Sequence, residues 1–145
     1  MERKEFLSLL GLDSASVFAA ACLGGCSKTA LGNVQGPPAS VNINLDLSLS
    51  VNAALLTPRG YLYTNGIIVA QTTAGAYIAV SQACTHQGVS VQYIGSSLEF
   101  YCPAHGSAFS NTGAVVNGPA SYPLTQYKTS LTGTTLTISS KYNWN

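Results

Sequence analysis

A chain of 145 residues and 15.0 kDa has room for one domain with its own core and a short appendage. Only 8% of it is charged, against roughly 25% in an average soluble domain, and the net charge is +1, which excludes a basic nucleic-acid face and an acidic tail. With 46% apolar residues and a mean hydropathy of +0.23, the composition permits a packed core and argues against disorder, and its 4 Cys are too few for a disulfide-dense scaffold yet enough for a metal site.

The first element in chain order is an address rather than part of the fold. Arg3 and Lys4 form a basic start, followed by an apolar stretch from Phe6 to Leu23 that ends in small residues and Cys26. Leu23-Gly24-Gly25-Cys26 resembles a bacterial lipobox, which predicts cleavage before Cys26 and lipid attachment to its thiol. Ala19 to Cys22 has the same form but begins with Ala, so Cys26 is preferred. Arg3-Lys4-Glu5-Phe6-Leu7 resembles a twin-arginine export signal with Lys in place of the second Arg. The competing reading is a retained transmembrane anchor, since a helix from Phe6 to Leu23 would extend about 27 Å at 1.5 Å per residue. Asp13 near its centre argues against that, at a cost of about 2.5 to 3.5 kcal/mol on insertion scales.

Ser27 to Ser40, with Gly32, Gly36, Pro37 and Pro38, reads as a linker, and 41–145 as the domain. Val41, Ile43, Leu45, Leu47, Leu49 and Val51 alternate with polar residues, which predicts one long strand with a wet face. Further strands are expected at Tyr61 to Tyr63, Ile67 to Gln71, Tyr77 to Ser81, Val89 to Tyr93, Leu98 to Tyr101, Ala114 to Val116, Tyr127 to Leu131 and Thr134 to Ile138. Turn pairs such as Asn65-Gly66, Ala74-Gly75, Gly95-Ser96 and Thr112-Gly113 separate them. No helical periodicity is visible beyond the signal. The pattern predicts an all-β antiparallel sandwich or barrel, with the Tyr residues and Trp144 serving as packing.

Two segments hold the remaining Cys and both His: Cys84-Thr85-His86-Gln87-Gly88 and Cys102-Pro103-Ala104-His105-Gly106-Ser107, with 15 residues between His86 and Cys102. Each follows an expected strand, and a hairpin turning at Gly95-Ser96 links them, so two thiols and two imidazoles meet at one end of a sheet. A four-ligand metal site requires that set. A zinc ion held by the same residues and a disulfide between Cys84 and Cys102 are the simpler alternatives. The disulfide leaves both His unexplained. No catalytic triad or carboxylate pair is available, because Asp46 and Glu99 are the only acids after Asp13.

The paired segments resemble the Rieske family, and the similarity continues through Gly106-Ser107-Ala108-Phe109, Gly113-Ala114-Val115-Val116, Gly118-Pro119-Ala120 and Pro123-Leu124. The resemblance implies a Rieske-type antiparallel β-sandwich with a cluster-binding subdomain and a 2Fe-2S cluster. In it, Cys84 and Cys102 would hold the inner iron and His86 and His105 the outer one. Replacing two thiolates by neutral imidazoles removes negative charge and raises the reduction potential. In the family the Gly-Pro segment shields the cluster, and Ser107 would tune it by hydrogen bonding to sulfur.

Two departures stand out. The respiratory members carry an extra Cys in each loop, forming a disulfide, where this chain has Val89 and Ala104. Phe109 replaces the Tyr of high-potential members, which predicts a potential below the top of the range of about −150 to +300 mV. The functional expectation is an electron carrier at the outer face of a bacterial membrane, held by lipid on Cys26, that exchanges single electrons with a redox partner protein. Alternatives are the iron-sulfur subunit of a quinol-oxidising cytochrome complex, with quinol bound at one His, and the small subunit of a periplasmic molybdenum oxidoreductase. A ferredoxin feeding a ring-hydroxylating oxygenase shares the motif, but its reductase is cytoplasmic and the export signal argues against it.

Overall fold

The computed structural model describes residues 36–140. The expected signal, the lipobox with Cys26, most of the linker and Trp144 lie outside the described residues. Within them the chain forms β1 (Asn42–Asp46), a 3-10 helix (Ser50–Leu56), β2 (Tyr61–Thr64), β3 (Ile67–Gln71), β4 (Tyr77–Ser81), β5 (Gln92–Ile94), β6 (Glu99–Tyr101), β7 (Ala108–Ser110), β8 (Val115–Asn117), β9 (Gln126–Thr132) and β10 (Thr135–Ser139). Every pairing is antiparallel. A six-stranded sheet runs β1-β10-β9-β4-β3-β2, and β5-β6-β7-β8 form a four-stranded sheet inserted between β4 and β9. These two antiparallel sheets bear out the all-β expectation.

The long first strand is corrected. It ends at Asp46, whose carboxylate accepts the Ser48 N–H at 2.9 Å and the Ser48 hydroxyl at 2.7 Å. The Asp46 backbone carbonyl meanwhile accepts the Asn52 amide at 2.8 Å. These local bonds compete with the ladder and turn the chain into the 3-10 helix. Leu45 and Leu47 stay buried, but Leu49 and Val51, expected to share their face, are 53% and 79% exposed. The short strand β7 was also unanticipated, because three residues beside Gly and Ser carry too little periodicity to register.

Strand β3 explains why Ile67-Ile68-Val69-Ala70 is uninterrupted by polar residues: both faces of the strand are buried. Its odd positions, Ile67 and Val69, pack with Val41, Leu45, Leu55, Leu136 and Ile138 inside the curl of the six-stranded sheet. Its even positions, Ile68 and Ala70, pack with Tyr93, Phe100 and Phe109 of the four-stranded sheet. That second core includes Cys84 and Cys102. At the β2–β3 turn, Asn65 and Gly66 both take positive φ (48° and 77°), which suits the twist of a two-residue hairpin.

Candidate metal centre

The two Cys/His segments are the connections from β4 into β5 and from β6 into β7, and they share one backbone design. In the first, Gly88 N–H donates to the Cys84 carbonyl at 2.7 Å and Cys84 N–H to the Val89 carbonyl at 2.8 Å. In the second, Gly106 N–H donates to the Cys102 carbonyl at 3.1 Å and Cys102 N–H to the Ser107 carbonyl at 2.8 Å. Each turn closes on a glycine in the left-handed region, at φ 74° and 82°, which a side chain would disfavour. The spacing of Gly four residues after each Cys is therefore the local reason both loops fold alike.

The loops divide their ligand-type residues between inside and outside. Cys84 and Cys102 are 3% and 2% exposed and belong to the core between the two sheets. His86 and His105 are exposed, with ring centroids 4.9 Å apart and planes at 89°. Both cysteines are free thiols, so the disulfide alternative does not describe this structure. Burial pushes the Cys102 thiol above its ordinary range and the adjacent Cys84 thiol adds to this, while N–H groups of Ala104 and His105 directed at it favour the thiolate.

Among the described residues, no three His, Cys, Asp or Glu side chains converge closely enough to share one ion. The pairing is thiol beside thiol and ring beside ring. That arrangement fits a two-centre group with sulfur ligands on its buried side and nitrogen ligands on its exposed side better than a single tetrahedral zinc.

The surroundings are nearly free of charge. From Gln82 to Thr125, Glu99 is the only charged residue, and it pairs with Ser110 at the end of β6 away from the loops. Beside the first loop instead stands Tyr122, 72% exposed. Ser107 is fully buried, and its hydroxyl oxygen accepts the Ala120 N–H at 3.0 Å, which leaves its own proton available for donation. Thr85 donates to the Tyr122 carbonyl at 2.6 Å. Sequence reasoning singled out neither Thr85, Asn117 nor Tyr122. Their hydrogen bonds link positions remote in the chain, and the sequence marked that region only through the neighbouring Gly113-Ala114-Val115-Val116, Gly118-Pro119-Ala120 and Pro123-Leu124.

A family model described as the Rieske [2Fe-2S] domain matches residues 54–128. A cytochrome b6-f complex iron-sulfur subunit of Chlorobaculum thiosulfatiphilum is 34% identical over 107 residues, covering 71% of this chain and 59% of that protein. The corresponding subunit of Chlorobaculum tepidum is 32% identical over 96 residues, covering 63% and 52%. The chain thus spans little more than half the length of these relatives. Among solved structures, the ferredoxin of carbazole 1,9a-dioxygenase from Nocardioides aromaticivorans IC177 superposes with a TM-score of 0.50 at 25% identity, covering 59% of this chain and 88% of that one.

Proposed function

Because the chain belongs to the Rieske 2Fe-2S family, we propose that it is an electron-transfer protein in which Cys84 and Cys102 hold the inner iron and His86 and His105 the outer one. When bound, the cluster supplies a one-electron couple. The chain supplies the rest. Cys84 and Cys102, as buried thiolates, keep water from one side, and the edge-to-face imidazoles of His86 and His105 present the other side to solvent. The observation that carries this reading is the pair of buried thiols beneath a pair of exposed imidazoles.

The proposal extends to place and partner. The pattern of residues 1–26 supports lipid attachment at Cys26 and a position on the outer face of a bacterial membrane, with a cytochrome or oxidoreductase subunit as redox partner. A second reading, the iron-sulfur subunit of a quinol-oxidising complex, is favoured by the relatives named as cytochrome b6-f subunits. The residues at Val89 and Ala104 weigh against it, since the disulfide of such subunits has no counterpart here. An N-terminal segment retained as a transmembrane anchor, together with co-purification in a stable cytochrome complex, favours the second reading; a cleaved, lipid-bearing Cys26 favours the first.

Purified anaerobically, the protein is expected to hold iron and acid-labile sulfide in equal amounts and to absorb visible light. Substitution of Cys84 or Cys102 by Ser, or of His86 or His105 by Ala, abolishes the Rieske spectrum. An unchanged spectrum in any one variant removes that residue from the ligand set, and stoichiometric zinc without sulfide overturns the reading.

A further inference from the structure

The segment 118–123, which returns the chain from β8 toward β9, touches both Cys/His loops. Thr85 reaches it from the first loop through the Tyr122 carbonyl, and Ser107 from the second through the Ala120 N–H. Asn117, the last residue of β8, adds a different link. Its side-chain nitrogen donates to the Gly106 carbonyl and to the Gly118 carbonyl, both at 3.1 Å. Gly106 directly follows His105.

The backbone by itself cannot make this connection. Asn117 pairs with Ala108 at the end of the β7–β8 ladder, where the register shifts between Ala108 and Phe109. Ala108–Asn117 is the last pair of that ladder, and the Asn117 carboxamide reaches two residues beyond it, to the Gly106 carbonyl. Gly106 lies at φ 82° and lacks a side chain to limit its rotation. Its N–H is anchored to Cys102, and its carbonyl is anchored by Asn117.

We propose that Asn117 is a positioning residue for His105. One nitrogen with two protons bridges the loop that carries the imidazole to the segment that packs over both loops. It braces the second loop, which carries His105, against that segment. This inference rests on the reading of His105 as a ligand.

The test uses the full chain loaded with its cluster and compares wild type with Asn117→Leu, which is nearly isosteric and uncharged but has no donors, and with Asn117→Ala. Losing two exposed hydrogen bonds is expected to accelerate amide exchange across 103–107, and thermal bleaching of the visible spectrum, by about tenfold. The electron paramagnetic resonance g-values of the reduced cluster shift as the imidazole reorients, a change that loss of general stability does not produce. Unaltered exchange and g-values in both variants overturn the proposal. If a variant does not load, exchange in its apo form decides: acceleration confined to 103–107 supports the proposal, and acceleration throughout β3, β4, β9 and β10 overturns it. A wild-type protein lacking iron and sulfide refutes the functional reading instead, so the two failures are distinguishable.

Discussion

The six-stranded and four-stranded sheets are built on different terms. Strands of the larger sheet run four to seven residues, and ladders such as β1–β10 and β3–β4 keep register over their whole length. Its inner core is a set of Val, Ile and Leu side chains with Ala79 and Tyr127. Each strand of the smaller sheet has three residues, and one pairing is irregular. Two of its core members are thiols. Strands so short provide few ladder bonds of their own, so the larger sheet is a self-sufficient base and the smaller one depends on loop hydrogen bonds and on what its loops hold.

That contrast can be broken or sharpened by substitution. Phe100→Ala removes a fully buried ring that packs against Tyr93 at 5.2 Å beneath the loops. It is expected to cost about 3 to 5 kcal/mol and to release the cluster before the base unfolds. Ile138→Ala, equally buried in the base, should cost about 2 to 5 kcal/mol while the folded fraction keeps its cluster. Denaturant melts followed by visible absorption and far-ultraviolet dichroism check both; cluster loss coincident with base unfolding in Phe100→Ala would erase the distinction.

A smaller effect is expected at Ser107→Ala. The Ala120 N–H loses its buried acceptor, at about 1 to 3 kcal/mol, and the reduction potential falls with the lost donor. A redox titration that finds the wild-type potential excludes Ser107 as a tuning group.

The smallest effect has the opposite sign. Tyr93 Oη is buried with no hydrogen-bond partner among the described residues, so Tyr93→Phe should stabilise the domain by about 1 kcal/mol in thermal melts. Burial also raises the Tyr93, Tyr63 and Tyr127 phenols above their ordinary value of 10.0. The folded chain then retains protons that the unfolded chain releases, so this stability is full below pH 10 and declines as pH rises through the folded values. Tyr93→Phe is expected to flatten that alkaline decline; an unchanged slope shows that the other two phenols account for it.

Much of this was legible locally. Alternation and turn pairs located most strands to within a residue or two, because a strand's period and a hairpin's positive φ are properties of neighbouring residues. Where a local competitor intervened, as at Asp46, the same alternation misled, and Leu49 and Val51 were assigned to a core they do not enter. The paired Cys/His segments were visible because each loop is a short closed turn whose Cys, His and Gly lie within five residues.

By itself the amino-acid sequence determined which residues could ligate a metal, where most of the hairpins turn, and that the segment from Gln82 to Thr125 carries almost no charge. Tertiary structure alone decided that the thiols lie inside and the imidazoles outside, and that Asn117, eleven residues from Gly106, and Thr85, 37 residues from Tyr122, tie the loops to the segment beside them. The physical reason is one of range. Backbone conformation follows from adjacent side chains, whereas a hydrogen bond between distant loops exists only after two sheets have packed around a common core.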